Sequence, residues 1–366
     1  MVMKKALLIL SLAGCLLFPV TAADISANMN FSTGSVFLNG TTRWTTSALA
    51  RVSLASTGSS AVRGVLSASY GVNNSGYPVG FSLEKAYVRF RLPWFGDSTM
   101  RLTVGKSPVS WGYGTYFNAG DIVFGASPND AAAGVLSGEY RTSAAWMILA
   151  SLPLYDTFSA DLIVLPDLES VRTGIVEGRV GGRFLWNPGF VPLDALEFGY
   201  LGTVDGSAHS VYAAFDGTLW FDYNLSLSTI IEPSDAADTA KENLRMSLGL
   251  FKMFNIPTDT RYVPLSFRIE GLYAPFVCSF SGFFSMDIGV SDSVGVGAVF
   301  LCDMPAKAIV MGTPVDVDCT LSAVLTCSYR PVAGLVLGLQ GGVASSVKDS
   351  DWDFAGTLMF SCQYSF

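Results

Sequence analysis

Between Arg43 and Lys106 the chain carries eight basic residues and only two acidic ones, Glu84 and Asp97. Six of the eight, Arg51, Arg63, Lys85, Arg89, Arg91 and Arg101, fall on the polar phase of segments whose other phase is apolar. From Ala274 to Phe366 the balance inverts to eight Asp against three basic residues, with Asp287, Asp316 and Asp318 on the polar phase. Such side chains perform no bond chemistry by themselves. On facing walls of a wet passage they would set up a transverse field that sorts ions and orients dipolar solutes. Paired with one another, they would instead plug a narrow lumen. The segment Ser107 to Ala132 is the longest candidate loop. Its Trp111, Tyr113, Tyr116, Asp121 and Asp130 make it a candidate to narrow such a passage opposite the basic set, and its aromatic rings could also serve as a slide for sugars.

Nothing else in the sequence assembles a reactive centre. His209 is the only histidine, beside Ser210 and near Asp205. Adjacency in sequence does not build a nucleophile, base and carboxylate relay, whose members meet in space. A trio of Glu177, Arg179 and Arg183 on one phase could extend the charged ladder or pair locally. No phosphate loop, dinucleotide fingerprint or zinc spacing is present, so neither catalysis nor a cofactor or metal is expected. Cys278, Cys302, Cys319, Cys327 and Cys362 lie on apolar phases and read as small hydrophobes. The formal net charge is −8, and removal of Lys4 and Lys5 would make it more negative, which argues against nucleic acid as a partner.

The elements that position these charges are strands. Half the residues are apolar and only 14% are charged, too few to solvate the surface of a soluble protein of this size. Past the N-terminus no apolar run approaches the roughly 20 residues of a membrane-spanning helix. In lipid only helices and closed barrels satisfy every backbone group, so the composition predicts a barrel. The alternation agrees. Trp352, Phe354, Gly356, Leu358, Phe360, Cys362, Tyr364 and Phe366 share one face, opposite Asp353, Ala355, Thr357, Met359, Ser361, Gln363 and Ser365. Comparable runs end at Tyr329, Val290, Tyr273 and Leu92.

Short breaks such as Pro93 to Asp97, Ser291 to Ser293 and Arg330 to Gly334 read as periplasmic turns. Longer polar breaks, Asn73 to Pro78, Glu232 to Glu242 and Ser345 to Asp351, read as extracellular loops. A raw count of runs gives an odd number. Ile25 to Phe31, Ala133 to Tyr140, Ser143 to Ser151 and Ser159 to Leu165 are the ambiguous ones. At roughly 20 to 22 residues per strand and connection the chain predicts an up-and-down antiparallel barrel of about 16 strands, with 14 or 18 as the neighbouring even numbers. Trp44, Trp94, Trp111, Trp186 and Trp352 are expected in interfacial girdles. Lys4 and Lys5 before the apolar run Ala6 to Val20, then Ala22 and Ala23, define residues 1–23 as a cleavable export signal, with the barrel occupying 24–366. Leu12-Ala13-Gly14-Cys15 offers a rival reading as a lipidation site, but Leu16, Leu17 and Phe18 continue the apolar run.

Two segments carry a resemblance. The ending Phe360-Ser361-Cys362-Gln363-Tyr364-Ser365-Phe366 resembles the C-terminal recognition strand of bacterial outer-membrane barrels of porin type. That resemblance implies the outer membrane as location, contact with its lipid, and insertion by the outer-membrane assembly machinery through the Phe366 strand. Leu102 to Lys106, followed by Trp111-Gly112-Tyr113-Gly114 and Phe117-Asn118-Ala119-Gly120-Asp121, resembles the Gly-Lys, Trp-Gly and Asn-x-x-Asp pattern of substrate-selective porins of the alginate-export type. The expectation is a non-enzymatic channel for small hydrophilic solutes. A non-conducting barrel that adheres through its loops and a hydrophobic-compound transporter are the competing readings. Many porins are trimers, so a homo-oligomer belongs among the partner expectations.

Overall fold

The computed structural model describes residues 23–38, 40–57, 61–74, 80–128, 140–167, 178–258, 261–304, 309–310, 313–314, 319–348 and 351–366. Eighteen strands form one closed sheet. In chain order they are β1 Ala23–Leu38, β2 Thr41–Ser56, β3 Val62–Asn73, β4 Gly80–Pro93, β5 Thr99–Ser107, β6 Ala145–Tyr155, β7 Phe158–Pro166, β8 Gly178–Trp186 and β9 Leu193–Thr203. They continue as β10 His209–Thr218, β11 Asp222–Ile231, β12 Arg245–Pro257, β13 Tyr262–Ala274, β14 Ser279–Ile288, β15 Val294–Met304, β16 Cys319–Val332, β17 Leu335–Lys348 and β18 Asp351–Ser365. Each pairs antiparallel with its sequence neighbour. β1 also pairs with β18, from Asn28↔Ser365 to Leu38↔Ala355, which closes the barrel. Phe366 prolongs that seam, its N–H and C=O bonding Ala27 at 3.0 and 2.8 Å.

The count of 18 corrects the expected 16. Three of the ambiguous runs are real strands, β1, β6 and β7. β6 and β7 look irregular in sequence because both of their faces are apolar. Leu162 and Val164 point outward at 57% and 42% exposure, while Met147, Ile163 and Leu165 point inward and are buried. An average strand-plus-connection length also overshoots where β5, β7 and β8 are nine residues long and turns such as 156–157 and 333–334 are minimal. The fourth run adds no strand to the sheet, and residues 133–139 lie outside the described residues. The proposed export signal lies outside them too, except for Ala23, the first residue of β1.

In-register partners share a face, so one fixed phase propagates around the whole barrel. Phe31, Val52, Leu66, Val104, Ile148, Phe198, Leu248, Phe300, Leu325 and Phe360 are all more than a third exposed, on the outer face. A soluble barrel would bury these. Ala23, Phe366 and turns such as 94–98, 156–157 and 333–334 lie at one end, read as periplasmic. The connection 108–144, the helix α1 Ala236–Glu242 and the connection 305–318 lie at the other. Cys278 departs from the sequence reading: it lies in the turn after β13 at φ 53°, its thiol donating to the Pro275 carbonyl. Cys302, Cys319, Cys327 and Cys362 are on outer-facing strand positions and are free.

Candidate functional site

After β5 the chain folds into the lumen over residues 108–128 instead of outward. A glycine-rich sequence allows the first tight approach: Gly112 has φ +69°, and a Cβ there would lie 2.7 Å from both Asn118 Oδ1 and Gly120 Cα. The limb 111–112 therefore presses against 118–120. Asn118 Nδ2 donates to the Trp111 carbonyl at 3.0 Å, and Asp121 Oδ1 accepts the N–H groups of Val123 and Phe124 at 3.2 and 3.0 Å. Trp111 and Asn118 are thus partners within the loop, while Asp121 holds the residues that follow it.

The barrel's inner face then holds the loop at three stations. On β8 and β9, Glu197 Oε2 accepts the Gly112 N–H at 2.7 Å, and Arg183 donates to the Ser110 carbonyl at 3.0 Å. Arg183 also bridges Asp161 and Glu197 at 2.7 and 2.9 Å, and Arg179 donates to the Ile122 and Val123 carbonyls. On β11 and β12, Ser226 donates to the Tyr113 carbonyl and Ser247 accepts the Ala119 N–H. On β13, Glu270 accepts three backbone N–H groups, from Thr115 at 3.0 Å and from Tyr116 and Phe117 at 2.7 Å each. Arg268 donates to Thr115 Oγ1 and pairs with Glu270. Arg141 ties the returning limb, reaching the carbonyls of Tyr116, Gly125, Ala126 and Ser127 and Asp121 Oδ2 at 2.6 Å.

Two apolar clusters complete the seat. Trp111 is fully buried against Met147, Ile163, Leu165, Leu201, Tyr212 and Ala214. The Tyr212 ring lies over Gly199, where a Cβ would meet it at 2.1 Å, and stacks on Trp111 with centroids 6.1 Å apart. Tyr116, Phe117 and Tyr140 pack on Phe283 of β14, Tyr116 stacked at 4.2 Å. Burial pushes the Tyr116 and Tyr140 phenols up to about 12, and that of Tyr113 higher still with the help of Glu197 and Asp216, so all three stay neutral. These placements correct two expectations: Trp111 is not in an interfacial girdle, and Trp111, Tyr116 and Phe117 are buried too deeply for a sugar slide. Trp111→Ala should cost about 3–5 kcal/mol. Thermal unfolding of the purified barrel is the measurement.

The predicted basic residues stand on inner-phase positions of β2–β5, apart from the wall that the described loop residues contact. Arg51, Arg63, Lys85, Arg89, Arg91 and Arg101 all face inward on β2–β5. Arg51 pairs with Glu84 at 2.6 Å, because Glu84 is the extra residue of a bulge on β4, opposite Ser67 and Ala68 of β3, and so gains an inward position as well. The other basic residues have no carboxylate partner among the described residues. Arg63 stands directly opposite Arg89, and Arg91 directly opposite Arg101. Like charges in that register repel at roughly 5 Å between Cβ atoms, so the sequence tolerates a stability cost here.

Across the lumen Asp287 faces inward on β14, and Asp303, which sequence reading did not single out, accepts from Ser281 on the next strand at 2.5 Å. Asp121 is buried in the Arg141 pair rather than displayed to the lumen. Asp130, Asp316, Asp318 and Glu177 lie outside the described residues. His209, at the start of β10, is stacked on Tyr200 with Nδ1 2.7 Å from its hydroxyl, whereas Asp205 is held by Ser207, so the two are not joined in a relay. Among the described residues no group of three or more His, Cys, Asp or Glu could hold a metal.

No family model and no curated protein matches the sequence. Solved structures do match in fold. Acinetobacter baumannii OccAB4 is 10% identical with a TM-score of 0.56, over 95% of this chain and all of that one. Pseudomonas aeruginosa OpdL is 10% identical with a TM-score of 0.56, over 94% and 98%. Pseudomonas aeruginosa OccK3 (OpdO) is 12% identical with a TM-score of 0.54, over 94% and 96%. With the outward apolar face, the closed sheet and the inserted β5–β6 connection, the chain has the fold of the porin-type barrels of bacterial outer membranes.

Proposed function

We propose that this protein is an outer-membrane channel for passive, weakly selective diffusion of small hydrophilic solutes, with a preference for anions. The observation that carries the reading is the arginine quartet: Arg63 opposite Arg89 and Arg91 opposite Arg101, without a carboxylate partner among the described residues, on the wall that faces the one the described loop residues contact. A destabilising like-charge arrangement in a wet lumen is explained by what it does to the solute, because a focused positive potential concentrates anions along that wall. Asp287 and Asp303 supply the opposing negative wall. Asp316, Asp318 and Asp130 extend it in this reading, and Trp111, Tyr113 and Tyr116 act as the buried frame of the constriction loop. The work is transport rather than catalysis.

Residues 1–23 serve as the export signal, and the strand ending on Phe366 is the element handed to the assembly machinery. The pore reading is tested in planar bilayers. Purified protein should form discrete conducting steps, and a salt gradient should give an anion-selective reversal potential. Arg89→Ala combined with Arg91→Ala should lower the anion preference markedly, an effect that shrinks at high salt as the charges are screened. A protein that gives no conducting steps, and whose liposomes do not swell in small sugars, is not a porin.

A further inference from the structure

The outer face of β11–β18 carries a trough of about 870 Å³ with an almost wholly apolar lining. It follows one row of in-register residues, Leu248↔Gly271, Gly271↔Gly282, Gly282↔Cys302 and Cys302↔Leu321. The floor is low because two glycines and a cysteine stand side by side there. The Phe280 ring lies down over both glycines, 3.3 Å from a Cβ built at Gly282 and 3.5 Å from one at Gly271. Phe284 and Phe300, with ring centroids 5.9 Å apart, rise beside it as a wall. Its size is that of a ligand pocket, not of a gap between packed side chains.

Three features select the occupant. First, the trough opens on the lipid face, so its ligand comes from the bilayer. Second, a row of hydrogen-bonded residues in a barrel whose strands tilt roughly 35–45° runs obliquely through the membrane. An acyl chain descending from the surface can therefore lie along it. Third, on β13, β14, β15 and β16 the row crosses within four residues of the end that carries the long loops, which is the outer-leaflet side. A second copy of the barrel would present a wall of its own side chains, too broad to reach a floor recessed between phenyl rings, whereas an unbranched hydrocarbon chain can enter.

We propose that this trough binds an acyl chain of an outer-leaflet lipid. The inference rests on the outer-membrane reading and is independent of whether the lumen conducts. The test uses the full-length mature barrel, extracted from membranes in mild detergent and examined by native mass spectrometry with lipid identification. Wild-type protein should retain a single outer-leaflet glycolipid per chain, and Cys302→Phe, which fills the floor, should reduce that retention to a small fraction. Leu325→Phe, on the same face outside the trough, should leave it unchanged. Gly271→Leu provides a second filling variant if Cys302→Phe does not fold, with heat-modifiable gel migration reporting an intact barrel. Equal retention in the filled variants, absence of lipid from the wild type, or retention of phospholipid alone would overturn the proposal. So would a Cys302→Phe barrel that loses an oligomeric state, since the occupant is then a second copy. Bilayer conductance on the same samples keeps the outcomes apart: a non-conducting barrel that retains the glycolipid removes the porin reading and leaves this one standing.

Discussion

Replacing Glu270 by Gln should unseat the inserted loop and raise the single-channel conductance severalfold. Glu270 is 2% exposed and its two oxygens accept the N–H groups of three successive loop residues. A glutamine keeps one acceptor oxygen and turns an amide NH₂ toward donors, so donor meets donor in a buried site. Hydrogen bonds to a charged partner contribute about 1.5–3 kcal/mol each, which puts the loss of the station at about 3–5 kcal/mol. At about 1.4 kcal/mol per tenfold, the seated-to-unseated ratio falls by about two to three and a half orders of magnitude. Arg268 amplifies the effect, since its guanidinium loses the carboxylate it pairs with at 3.2 Å. Bilayer recording of the variant decides the matter, with hydrogen exchange of residues 111–124 as the companion readout. Wild-type conductance together with wild-type protection of Tyr116 and Phe117 would mean that the loop is held elsewhere.

Arg141→Ala should have an effect of similar size by a different route. One guanidinium holds four carbonyls of the loop and the Asp121 carboxylate, whose side chain is 3% exposed in the pair. Truncation leaves that carboxylate buried without a cation, a change that costs about 3–5 kcal/mol. Arg141→Lys should rescue little, because an ammonium cannot span so many acceptors in one plane. The double variant Arg141→Ala with Asp121→Asn should be less damaging than the sum of the single changes, because removing the stranded charge removes most of the penalty. Channel opening noise and proteolytic sensitivity of the loop are the measurements, and strict additivity would show that the pair does not act as a unit.

Much of this molecule is legible in its alternation. The terminal run with Phe354, Leu358, Phe360 and Tyr364 on one phase is an outer face in the structure, and each basic residue assigned to the inner phase of β2–β5 points inward. Alternation succeeds there because lipid on one side and water on the other impose opposite demands on adjacent residues. It weakens at β6, β7 and β9, where Met147, Ile163 and Leu201 make the inner phase apolar as well. Phe283, lodged between Ser281 and Ser285, breaks the pattern in the same sense. Each irregularity marks inner wall that another part of the chain covers. Read that way, they would have restored the missing strands and pointed to where the loop lands.

Glu197 and Glu270 carried no comparable signal. A carboxylate on a polar phase looks the same whether it faces water or receives backbone donors, and the donors here are 85 to 155 positions away in sequence. The sequence by itself therefore determined the class of fold, the strand that closes it and the phase on which the basic residues of β2–β5 stand, since these depend on local phase and on the medium each face meets. Only the tertiary structure decided that 108–128 turns inward, which carboxylates anchor it, and that its aromatic residues are frame rather than lining. Those outcomes depend on contacts that exist only once the barrel has closed.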